Sequence, residues 1–113
     1  LMSNSDTLNI GGDLTVKGDS KITSSVINAD GLITFKGDLN SSNCTWNNPN
    51  IAFDSKLPQT VGGSAINADK LIVNNQCRLG ITFNCKVNYY GDLFSEGSVI
   101  NGQSNLVQQN KEA

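Results

Sequence analysis

The residues best placed to do chemistry are aspartates that recur behind glycine, at Gly12-Asp13, Gly18-Asp19, Gly37-Asp38 and Gly91-Asp92. Two carboxylates at a fixed separation beside a groove are the machinery of glycoside hydrolysis. Each Asp here sits at a presumed turn, where a carboxylate accepts bonds from backbone amides just beyond it. With no histidine and a single arginine, Arg78, proton abstraction beside a guanidinium lacks its usual parts. No catalytic residue is assigned, the chain is read as no enzyme, and Asp38→Asn is expected to be nearly silent.

Metal chemistry fares no better. Gly11-Gly12-Asp13 and Gly18-Asp19 echo the repeats that hold Ca²⁺ between solenoid coils, but the nonapeptide spacing is incomplete and does not recur in tandem. Cys44, Cys77 and Cys85 lack the short paired spacings of a zinc site and read as small buried hydrophobes. Their spacing leaves a Cys77–Cys85 disulfide open. No metal and no cofactor are expected. The threonines Thr15, Thr23, Thr34, Thr60 and Thr82 look too scattered for ice-binding rows, and the acceptor-like triplets at Asn40 and Asn43 are given no role.

Binding is the better prospect. Trp46, Tyr89 and Tyr90, with Phe94, are aromatics that can stack on sugars or anchor a protein partner from a loop or an exposed sheet face. Trp46, whose neighbours are all polar, is the foremost surface candidate, whereas core packing is the stronger expectation for Phe94. Eight basic against ten acidic residues, with no basic block, cannot generate the counterion release that drives nucleic-acid affinity. No nucleic-acid partner is expected. Nor is membrane insertion, because the apolar runs stop after about four residues where a spanning helix needs roughly 20.

These residues need a scaffold, and the scaffold is written in repeats. Val26-Ile27-Asn28-Ala29-Asp30-Gly31-Leu32-Ile33 returns as Ala65-Ile66-Asn67-Ala68-Asp69-Lys70-Leu71-Ile72. Short apolar runs begin at Leu14, Leu32, Ile51 and Leu71, roughly 18 to 20 residues apart, the length of one β-solenoid coil. Several alternate apolar with polar, the period of a half-buried strand, and Gly- and Asn-rich clusters separate them. No stretch has a helical period. The pattern predicts an all-β, right-handed single-stranded parallel β-helix, with an antiparallel β-sandwich as the alternative. Asn is expected at the corners, its amides stacking in ladders. Leu32 and Leu71 are expected in the inward aliphatic column, so that Leu32→Asp or Leu71→Asp unfolds the coil. The solenoid is placed at residues 1–103, and 104–113 is read as a polar tail or cap.

The Gly-Asp-Leu units, Gln59-Thr60-Val61 and Leu71-Ile72-Val73-Asn74-Asn75 resemble repeat-rich exoproteins of clostridia and related Gram-positive bacteria. The Gly12 to Val16 strand is also similar to the filamentous-haemagglutinin type of β-helix. The resemblance spans about residues 30 to 102 and implies a long, exported solenoid that projects binding or toxin-delivery parts from a cell surface. The cysteines and the Trp46-Asn47-Asn48-Pro49-Asn50 segment depart from those repeats. Bactofilin-like cytoskeletal domains, which are cytoplasmic, are similarly short β-helices.

The expected function is therefore a non-catalytic structural or adhesive segment of a larger secreted bacterial surface protein, presenting a binding surface or acting as a rigid spacer. Protein or carbohydrate is its expected partner, and an uncovered coil would add end-to-end self-association. The opening at Leu1 rather than Met is read as the mark of an excised piece. The other two readings are a bactofilin-like polymerising element and a carbohydrate-active β-helix enzyme fragment.

Overall fold

The computed structural model describes residues 1–95 and 97–109. The chain winds into a parallel β-solenoid of about six turns. The first coil is β1 (Met2–Asn4), β2 (Thr7–Ile10) and β3 (Leu14–Val16), and the second is β4 (Ser20–Thr23), β5 (Val26–Ala29) and β6 (Leu32–Phe35). The third is β7 (Leu39–Ser42), β8 (Thr45–Trp46) and β9 (Asn50–Ser55); the fourth is β10 (Gln59–Gly63), β11 (Ile66–Asn67) and β12 (Leu71–Asn75). The fifth is β13 (Ile81–Phe83), β14 (Val87–Tyr90) and β15 (Phe94–Ser95). β16 (Ile100–Asn101) and β17 (Leu106–Gln109) belong to the sixth, joined by a 3-10 turn at Gln103–Asn105.

Each strand pairs in parallel with its counterpart one coil away, which makes three faces. β1, β4, β7, β10, β13 and β16 form one continuous sheet, and β3, β6, β9, β12 and β15 form another. The second face is divided into two three-stranded sheets, β2-β5-β8 and β11-β14-β17. No antiparallel pair occurs among the described strands, so the sandwich alternative is overturned. Leu106–Gln109, expected in a tail or cap, instead continues the solenoid by pairing with Val87–Tyr90. Residues 110–113 of that tail lie outside the described residues.

Alternation along each strand sends every second side chain inward, and the parallel register stacks these into columns. On the third face Leu14, Ile33, Ile51 and Leu71 form one column, and Val16, Phe35, Phe53 and Val73 another. Phe53 joins two faces, stacking on Phe35 with centroids 5.9 Å apart and meeting the edge of Phe83 at 5.6 Å. Leu32 is the exception to the expected column. It is opposite Asn50, half-buried and outward, while Ile33 holds the inward place. The corner before β6 is one residue longer than that before β12, and a one-residue change flips a strand's facing. The two copies of the repeat thus share their register on the second face and lose it by one residue on the third.

The Gly-Asp motif is a device for joining coils. Asp13 Oδ1 accepts the Leu32 amide at 2.8 Å, Asp19 Oδ1 accepts that of Asp38 at 2.9 Å, and Asp38 Oδ1 accepts that of Thr60 at 2.8 Å. Asn50 does the same for the Lys70 amide at 3.1 Å. The glycine serves the coil below: a Cβ on Gly37 would lie 2.5 Å from the Gly18 carbonyl oxygen and 2.7 Å from Asp19 Oδ1. Asp38→Ala should therefore lower stability by about 1 kcal/mol, while Asp38→Asn, which keeps an acceptor oxygen, should be close to neutral. Urea unfolding of the two variants checks this; equal losses would show that the carboxylate charge, not the acceptor, matters.

The turn from the first to the second face uses a different solution. Ser5, Ser24 and Asn43 occupy equivalent places in the first three coils with φ of 60°, 52° and 55°. Left-handed backbone is unfavourable for serine. It is held by amide bonds to the next coil, Ser5 to the Thr23 carbonyl at 2.9 Å and Ser24 to that of Ser42 at 2.8 Å.

A buried amide pair fastens the corners on either side of the fourth coil. Gln59 is 1% exposed; its Nε2 donates to the carbonyls of Phe35 at 2.9 Å and Gly37 at 3.0 Å, and its Oε1 accepts Asn75 Nδ2 at 3.1 Å. Asn75 also donates to the Leu57 carbonyl and accepts the Cys77 amide. The segments before Gln59 and after Asn75 are thereby tied to the wall of the solenoid.

Candidate binding surface

Trp46, expected at the surface, is 2% exposed. It stands in register with Ile27, in the inward column begun by Leu8. Its ring meets the edge of Phe35 at 6.4 Å, and Nε1 donates to Ser41 Oγ at 2.9 Å, which satisfies the only polar atom of the indole. Polar sequence neighbours misled because they are turn residues; Trp46 lies one coil beyond Ile27, and that spacing was the signal for its inward position.

Tyr89 and Tyr90 cannot share a facing in one strand. Tyr89 points inward and is 8% exposed, whereas Tyr90 is half-buried on the outer surface. Phe94, for which packing was the stronger expectation, is 49% exposed on β15, with Lys70 Nζ 5.4 Å from its ring centroid. The outward pair is therefore Tyr90 and Phe94.

These two aromatics line an open depression of about 490 Å³ with Asn50, Asp69, Lys70, Gly91 and Asp92. It lies at the corner between the second and third faces. The mixture of ring faces, one ammonium and acceptor oxygens offers stacking together with hydrogen bonding. Asp92, unlike the earlier Gly-Asp aspartates, lines this depression. A second depression of about 300 Å³ shares Tyr90 and is otherwise lined by amides: Asn48, Asn67, Asn88 and Gln109.

Asn67, Asn88 and Gln109 belong to an outward row that climbs the second face. Asn28 Nδ2 donates to Asn9 Oδ1 at 3.0 Å and Asn47 Nδ2 to Asn28 Oδ1 at 2.6 Å. Higher up, Asn88 donates to Asn67 at 3.0 Å and Gln109 to Asn88 at 3.2 Å. The expected Asn ladder is thus present, but on strands and their ends rather than confined to corners. Among the described residues no side-chain bond joins Asn47 to Asn67, and the interruption coincides with the division of the sheet between β8 and β11. Sequence reasoning missed the Asn row as a surface feature, although its spacing of 19 residues in the first coils is legible.

The cysteines are free thiols. Cys85 lies in the core, where burial pushes its thiol pKa up, and Cys44 Sγ donates to the Ile22 carbonyl at 3.3 Å. No cluster of His, Cys, Asp or Glu among the described residues could hold a metal ion. Thr15 stands beside Thr34 and Thr60 beside Thr82, pairs rather than long rows. Among the described residues no helix is long and apolar enough to cross a membrane. Comparison with family models, curated proteins and solved structures finds no match to this chain.

Proposed function

We propose that this chain is a non-catalytic structural or adhesive β-helix segment of a larger secreted bacterial surface protein, a rigid stack that presents an outer binding surface. The observation that carries the reading is the use made of the recurrent carboxylates: Asp13, Asp19 and Asp38 are engaged in accepting amides from the next coil. Three of the four carboxylates of the repeated motif are thus engaged in coil stacking, which supports a structural role for it. The outward Asn row and the Tyr90–Phe94 depression supply the polar and aromatic groups of a binding surface. Its partner is carbohydrate or protein met at that surface, and the resemblance to exported solenoid repeats agrees with such a role.

Antibody raised against the folded chain should label intact, unpermeabilised cells of the source organism. Labelling that requires permeabilisation would refute the surface assignment and favour the bactofilin-like reading, as would concentration-dependent filaments of the purified chain.

A further inference from the structure

The two depressions share Tyr90 in their linings, and the trough that runs along both has different chemistry on either side of that ring. At one end are amides, Asn67, Asn88 and Gln109; at the other are the Phe94 ring, Lys70 and Asp92. Tyr90 lies where they join. The register explains the continuity: Asn88 and Tyr90 face outward from one strand two residues apart, opposite Val107 and Gln109 of the next coil. Phe94 follows across the Gly91-Asp92 corner and stands opposite Ile72, which gives the exposed ring an apolar base.

The interrupted Asn row points to the ligand's chemistry. Asn28 and Asn88, each between two neighbours in the row, spend one N–H and one lone pair on them and keep one of each for an outside group. No side-chain bond spans the break between Asn47 and Asn67, so both N–H groups of Asn67, which lines the trough, are open to an outside acceptor. Groups that both donate and accept at short intervals along a chain, with an apolar ring face between them, are the hydroxyls and pyranose rings of a sugar polymer. The charges lining the trough, one ammonium against two carboxylates, disfavour a polyanion.

We infer that a neutral linear glycan lies in this trough, a pyranose ring stacked on Tyr90 or Phe94 and its hydroxyls exchanging bonds with Asn67, Asn88 and Gln109. The inference rests on the reading of the chain as a binding module and names its ligand class. The combined volume, about 490 and 300 Å³, suits a segment of a few sugar rings rather than a single one.

Amide-resolved NMR titrations of the purified chain with cellotetraose, chitotetraose and maltotetraose, and with a heparin-derived tetrasaccharide, test it. At least one neutral sugar should produce saturable shifts centred on residues 67, 88, 90 and 94, and should be recovered at its original length. Tyr90→Ala should weaken that binding by roughly tenfold, the scale of one lost stacking contact. Asn67→Ala, at an exposed position, should weaken it several-fold with the spectrum of the free protein otherwise preserved. No shifts from any neutral sugar at millimolar concentration, or tighter binding of the heparin fragment, would overturn the glycan inference and leave the surface-module reading to the antibody experiment. Shortened sugar would overturn the non-catalytic reading while upholding the glycan site.

Discussion

Ile33→Asp should leave no cooperatively folded chain at 25 °C, while Leu32→Asp, one residue earlier, should cost under about 1 kcal/mol. Ile33 is 1% exposed and stacked between Leu14 and Ile51. Its replacement forfeits about 1.5 to 3 kcal/mol of apolar burial and places a carboxylate in a column of aliphatic side chains, with no cation to receive it. Against a total stability of about 5 to 15 kcal/mol, and with the coils on either side depending on that column, the loss is decisive. Leu32 lies outward opposite Asn50, where a carboxylate reaches water. Circular dichroism and thermal melts of the pair decide the matter. A cooperative melt of Ile33→Asp near the parent's midpoint would mean that the column is wet; collapse of Leu32→Asp would return Leu32 to the interior.

Gln59→Glu is expected to be the most damaging change that leaves side-chain volume unaltered, lowering stability by about 3 to 5 kcal/mol at neutral pH. The native amide donates to two carbonyls, those of Phe35 and Gly37. A carboxylate has nothing to donate, so it would set a negative oxygen against two carbonyl oxygens in a place removed from water. Gln59→Leu separates the contributions: it removes the donor from the same carbonyls and the acceptor from one Asn75 N–H without adding charge, and should cost about 2 kcal/mol. Denaturant titration of both variants gives the comparison. Equal destabilisation would assign the whole effect to lost hydrogen bonds and none to buried charge. The inward hydrogen bonds of Gln59 supply a structural reason for an amide at this position.

The period of the apolar runs was enough to predict a solenoid, because a strand in every coil must supply an inward residue at nearly the same spacing. The recurrence of Ile27 as Ile66 marked equivalent places two coils apart. What the recurrence concealed was corner length: Leu32 and Leu71 are aligned as letters, yet one extra corner residue turns Leu32 outward. The left-handed Ser5 and Ser24 were equally hidden, since serine carries no strong preference for that backbone and only stacked amide bonds hold it there.

The candidate surface was half legible. Tyr90 was chosen for its type, and the alternation of a strand separates it from Tyr89 once the strand's limits are known. Trp46 went astray because polar neighbours describe a segment's turns, whereas burial depends on which coil lies above and below.

By itself the sequence determined the all-β class, the coil length and the Gly-Asp and Asn signals, because these depend on local backbone preference and on spacing along the chain. The tertiary structure decided which Leu is dry, that Trp46 is buried, that three aspartates join coils, and that Tyr90 and Phe94 line one depression beside an interrupted row of amides. The physical reason is that facing and neighbourhood arise from register between coils, and one residue added at a corner changes register without disturbing the motif on either side.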